Sequence, residues 1–141
     1  MSGIVELEEL LKSMKPELLT PEFVFCTVQG SLIEYAELNP ISTFIETEGL
    51  TLVLEKSSAE QHSLPFEGSF RQITLTVHSS LEAVGLTAAV SSVLASKDIS
   101  ANVIAAYYHD HIFVQSAYAQ DALLALQSLG PKSEAQPETQ V

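Results

Sequence analysis

The chain has 141 residues, 46% of them apolar, which suffices for one compact domain or two very small ones sharing a core. Eighteen acidic residues stand against six basic ones, and Lys12, Lys15, Lys56, Arg71, Lys97 and Lys132 are scattered. The net charge of −12 therefore disfavours contact with nucleic acid and with anionic membrane surfaces.

Ile4, Leu7, Leu10, Leu11 and Met14 recur at helical spacing after a Ser2 cap, and Pro16 marks the stop of this amphipathic helix. The run EFVFCTVQG is apolar on both alternating faces from Phe23 to Val28, as in a strand inside a sheet. A short helical stretch around Leu32, Ile33, Tyr35 and Ala36 closes at Asn39-Pro40. Strands at 41–47 and 50–56 then face each other across a Glu48-Gly49 turn. Residues 57–69 are polar, contain Pro65 and Gly68, and read as a connector.

The pattern then starts again. Phe70 to His78 alternates as a strand, and residues 82–96 carry Ala83, Leu86, Val90, Val93 and Leu94 on one helical face. A strand at 101–108, a His109-Asp110 turn and a strand at 111–115 follow. A last helix spans about 117–129 and stops at Gly130-Pro131. The polar tail 131–141 is expected to be disordered. Aligning the hairpins sets EGLTLV over HDHIFV, so that Gly49 and Asp110 share a position. Strand, helix, hairpin, helix and strand in this order build a ferredoxin-like unit. The expected fold class is α+β: two βαββαβ half-domains with antiparallel sheets and helices on one face, at 1–65 with the leading helix and at 66–130.

Cys26 excludes an internal disulfide. No basic start leads into an apolar run, as a secretory signal would, and no apolar stretch approaches the ~20 residues of a membrane span. A soluble, cytoplasmic protein is expected.

Three chemistries suggest themselves and are set aside. His109-Asp110-His111 places two imidazoles on one side of an extended chain, and His62, His78 or Cys26 would have to complete a zinc set. The spacing fits no established motif, so no metal is assigned. Cys26 lies within an apolar strand, where a thiol fills the core more often than it attacks a substrate. Neither a phosphate-cradling glycine loop nor a serine nucleophile elbow occurs, so no catalytic residue and no cofactor is assigned.

Residues 78–126 resemble the ACT domain, and are most similar to tandem ACT proteins related to arginine sensors and aspartate-kinase regulatory domains. The loop Leu81 to Leu86 with Gly85 at the helix start, the segment ASKDISANV and the hairpin YYHDHIFV carry the likeness. EFVFCTVQGSL and ISTFIETEGLTLVLE resemble the companion N-terminal unit of small bacterial tandem ACT proteins, so the likeness spans about 3–129. The resemblance implies a non-catalytic allosteric sensor that takes an amino acid at the interface of ACT units, as a homodimer or with a regulated protein partner. The alternative is an ACT-fold interaction scaffold without a ligand.

On the sequence's own physics, amides at the start of the 82–96 helix lack intrahelical acceptors and suit a carboxylate, with Gly85 leaving room for it. Asp110 suits an ammonium, and Asn102 adjoins. The expected ligand-binding set is thus Leu81, Glu82, Ala83, Val84, Gly85, Leu86, Asn102, Val103 and Asp110.

Overall fold

A computed structural model describes residues 3–77 and 85–130, with side chains from Leu7 onward. Helix α1 (Gly3–Ser13) forms over the apolar stripe and carries Lys12 in its last turn, where a cation meets the negative end of the helix dipole. Pro16 does more than end it. Strand β1 runs Pro16–Val28, starting well before the expected Phe23. Proline is tolerated at a strand's first residue, and the second one, Pro21, falls where pairing with the neighbouring strand shifts between Leu18 and Glu22.

Helix α2 (Leu32–Tyr35) and a 3-10 turn at Ala36–Leu38 end on Asn39, whose left-handed backbone (φ 54°) turns the chain into Pro40. Strands β2 (Ser42–Glu46) and β3 (Gly49–Glu55) form the first hairpin. Glu46 pairs with Gly49, so the turn is Thr47-Glu48, one residue earlier than expected. The expected connector contains helix α3 (Lys56–Gln61). Its one buried residue, Ala59, seats it on the first core, too little apolar periodicity to betray a helix in the sequence.

Strand β4 (Phe70–Leu75), helix α4 (Leu86–Ala95), strands β5 (Asn102–Ala105) and β6 (Asp110–Gln115), and helix α5 (Ala119–Gln127) follow. The second hairpin differs from expectation. Ala106 N–H donates to the His109 carbonyl (3.0 Å), which puts Tyr107 and Tyr108 at the tip and makes Asp110 the first residue of β6. Gly49 opens β3 in the same way, so the two residues share a position, but on strands and not in turns. The expected helical residues 82–84, the loop before them and the tail 131–141 lie outside the described residues.

All strands join one six-stranded antiparallel sheet in the order β2-β3-β1-β4-β6-β5. From one edge, β2-β3-β1-β4 is the ferredoxin-like order. From the other, β5-β6-β4-β1 repeats it, with β1 and β4 exchanging roles. Two four-stranded units need only six strands because these two serve both.

Directly opposed residues share a face of the sheet, so the pairing sorts every side chain. One face carries the helices. There Val24, Cys26, Val28, Leu50, Leu52 and Leu54 pack with Leu38 and Ala59 as a first core. Ile73, Leu75, Ile112 and Val114 pack with Leu86, Val90, Leu94, Ala122 and Leu126 as a second. Met14, at the end of the leading helix, belongs to this second core, with Leu10 and Leu11 packed beside it. Each fully buried aliphatic side chain contributes roughly 1.5–3 kcal/mol. The helix-free face has its own small core of Phe23, Val53 and Phe113, with Phe25, Phe70 and Ile104 against it.

Candidate functional site

The structure places part of the expected ligand set on the helix-bearing side of the sheet. Leu81, Glu82, Ala83 and Val84 lie outside the described residues. Gly85 is the N-cap of α4, with φ 105° and no side-chain cap. A Cβ at Gly85 would stand 3.4–3.7 Å from the side chain of Leu7, an ordinary van der Waals contact, so α1 lies beside the start of α4. The positive φ of Gly85 is a backbone conformation that favours glycine. Leu86 is buried in the second core and Val103 packs against that core. Asp110 pairs with Leu75 on one side and Ala105 on the other, on the same helix-bearing face and half-buried.

Asn102 does not join them. It pairs with Phe113 on the helix-free face, and its Nδ2 donates to the Phe113 carbonyl (3.1 Å), tying β5 to β6. Asn102 and Asp110 therefore lie on opposite faces of the sheet. Gly85, Leu86, Val103 and Asp110 share the helix side, where the first-turn amides of α4 supply donors without intrahelical acceptors and Asp110 supplies a carboxylate.

Sequence reasoning missed a polar cluster on the opposite face. Gln72 Nε2 donates to Thr74 Oγ1 (2.9 Å), and both lie 3.0 Å from Nδ1 of His111. Thr74 is buried, and Thr74 and His111 are cross-strand partners. The available signal was the period-two placement of Gln72 and Thr74 in an otherwise apolar strand. Burial, and then the charge of His109, hold the His111 imidazole below its ordinary value of 6.5, partly countered by Asp110.

A histidine with a depressed folded pKa binds its proton more readily when unfolded. Its stabilising contribution is complete above pH 6.5 and is lost as pH falls through the window between 6.5 and the lower folded value. Urea unfolding is expected to show stability rising with pH across that window, and His111→Gln is expected to flatten the slope. An unchanged slope in the variant would refute this assignment.

His62 and the thiol lie on other elements. His62 on α3 contacts the Ser58 carbonyl (3.0 Å), and Cys26 is buried in the first core, where burial raises its pKa. His78 lies outside the described residues. Among the described residues no group of three or more His, Cys, Asp or Glu comes together, and no helix is long and apolar enough to cross a membrane. Among the described residues, a hollow of about 490 Å³ is lined by Met14, Lys15, Pro16, Leu124, Gln127, Ser128 and Gly130.

Comparison with known proteins is specific. The ACT domain family matches residues 2–71, and a second ACT domain model matches residues 67–128. A crystal structure from Vibrio cholerae, of a protein of unknown function described as a possible transport protein, is 60% identical. That match covers 91% of this chain and 98% of that one, at a TM-score of 0.84. The allosteric aspartate kinase of Clostridium acetobutylicum shares the fold at 7% identity and a TM-score of 0.61, over 82% of this chain and 34% of the kinase. The regulatory subunit of aspartate kinase from Thermus flavus shares it at 9% identity and a TM-score of 0.59, over 85% of this chain and 98% of the subunit. A search among curated proteins finds no match.

Proposed function

The chain belongs to the ACT domain family, and from that premise we propose that it is a regulatory module that binds an amino acid or similar small metabolite without catalysing a reaction. One observation carries the reading: two ACT matches in tandem account for residues 2–128, and the two units share one sheet. The likeness of that sheet to aspartate-kinase regulatory subunits supports it at the level of fold.

In this reading the ligand's carboxylate meets the first-turn amides of α4, approached through Leu81, Glu82, Ala83, Val84 and Gly85. Leu86 and Val103 form an apolar floor, and Asp110 receives the ammonium. Such a site pairs donors with an anion and a carboxylate with a cation, the complement of a zwitterion. Asn102 serves by holding β5 on β6 beneath it. Because α1 lies over Gly85 through Leu7, occupancy favours one placement of α1, and a homodimer mate or a regulated protein senses that placement. The setting is cytoplasmic.

Thermal unfolding against each amino acid tests the proposal. One amino acid is expected to raise the midpoint in proportion to the logarithm of its concentration, a gain of about 2.7 kcal/mol at one hundred times Kd. Asp110→Asn is expected to diminish that response while leaving the unliganded midpoint nearly unchanged. Absence of any shift with every amino acid at millimolar concentration would overturn the reading in favour of a ligand-free scaffold.

A further inference from the structure

The free edge of the first unit is unusually apolar. Ile33, Phe44 and Ile45 are 87%, 70% and 82% exposed, and Leu32 and Ile41 are about half exposed. Phe44 and Ile45 stand side by side on β2, one on each face of the sheet, and large exposed apolar side chains of this kind mark contact surfaces. Among the described residues β2 has a neighbouring strand on one side only, so the outward half of its backbone N–H and C=O groups faces away from the sheet. β2 contains neither lysine nor proline, and its register with β3 runs without a bulge, so two common guards of an edge are missing.

Charge decides what fits there. Residues 16–55 contain seven glutamates and no lysine, arginine or histidine. Glu46 on β2 and Glu48 in the turn after it are exposed at this edge, and Glu34 and Glu37 are exposed on the segment that leads into β2. Glu46 is fixed on the strand by accepting a hydrogen bond from Thr51 Oγ1 (2.6 Å). A second copy docked through the same edge would bring both sets of glutamates together with no cation between them, which costs stability at moderate salt.

We propose that the β2 edge is a docking site for an extended cationic protein segment, which adds to the sheet as a seventh strand. Main-chain hydrogen bonds to β2 supply the affinity. Apolar side chains of the guest lie beside Phe44 on one face and Ile45 on the other, and flanking lysines or arginines meet the four glutamates. This surface is separate from the ligand site at α4 and does not depend on that reading.

The test uses the full chain and a labelled synthetic peptide, Lys-Lys-Val-Thr-Val-Thr-Val-Lys-Lys, with fluorescence anisotropy as the readout. Saturable binding is expected, weakening with added salt. The same peptide flanked by glutamates should bind at least about tenfold more weakly. Ile45→Lys, at an exposed position, should also weaken the lysine peptide by about tenfold or more, with unchanged circular dichroism. Failure of the lysine peptide to bind, or equal binding of both peptides to the native chain, overturns the proposal whether or not the variant folds. A dimer of the chain at moderate salt that Ile45→Lys dissolves overturns it too, because a second copy then occupies the edge.

Discussion

Phe113→Ala is expected to destabilise the protein by about 3–5 kcal/mol, read as a lowered urea midpoint with an unchanged slope. Phe113 is 1% exposed although it lies on the face of the sheet that carries no helices. Its burial comes from other aromatic rings. Phe23 meets it edge-on with centroids 5.8 Å apart at 90°, and Phe25 does so at 5.8 Å and 84°. Phe25 in turn stands edge-on to Phe70 at 5.2 Å. Each such pair contributes about 0.5–1.5 kcal/mol beyond the area it buries. Truncation leaves a cavity among these rings, and its cost adds to the lost transfer energy. Phe44→Ala is the control, since an exposed side chain of the same type should cost no more than about 0.5 kcal/mol. A loss below about 1 kcal/mol for Phe113→Ala would mean that the aromatic cluster is not closed in solution.

Met14→Ala is expected to cost about 2–5 kcal/mol, as much as a central core truncation, although the residue stands near the start of the chain. Met14 is 1% exposed and sits with Leu75, Leu94, Ile112 and Leu126. The backbone fixes it there: Thr76 donates through both its N–H (3.0 Å) and its hydroxyl (2.7 Å) to the carbonyl of the next residue, Lys15. Amide hydrogen exchange localises the effect. Protection should fall in α4 and α5 while β2 and β3 hold theirs. A uniform fall, or a fall confined to α1, would refute this account of how the leading helix is anchored.

Much of this architecture is legible in the sequence where periodicity is strong. The helices over 86–95 and 119–127 and the alternating strand at 70–75 follow directly from apolar spacing. Both hairpins are recognisable, although their turns sit a residue or more away, at Thr47-Glu48 and at the Tyr107-Tyr108 tip. Turn placement depends on pairing register, and register is set by partners distant in sequence. The short helix Lys56–Gln61 escapes because a single buried alanine holds it.

What local pattern cannot disclose is which strands are neighbours. Nothing in Pro16 to Leu18 announces that this stretch pairs with Ile73 to Leu75, so the sharing of two strands between units appears only in three dimensions. The candidate site was legible to the same extent. Leu86, Val103 and Asp110 do share one face, yet the packing of Leu7 on Gly85 is a long-range contact with no sequence signature. Asn102 was misjudged because a one-residue step along a strand reverses its face.

β1 pairs with β3 over Phe23 to Val28 and with β4 over Pro16 to Phe23, so one strand walls both cores. The two halves are thereby stitched laterally through main-chain hydrogen bonds. Between α4 and the far margin at β2 the continuous hydrogen-bonded ribbon runs through β4, β1 and β3. The irregular stretch around Pro21 is the natural place for torsion in that ribbon to be absorbed or passed on.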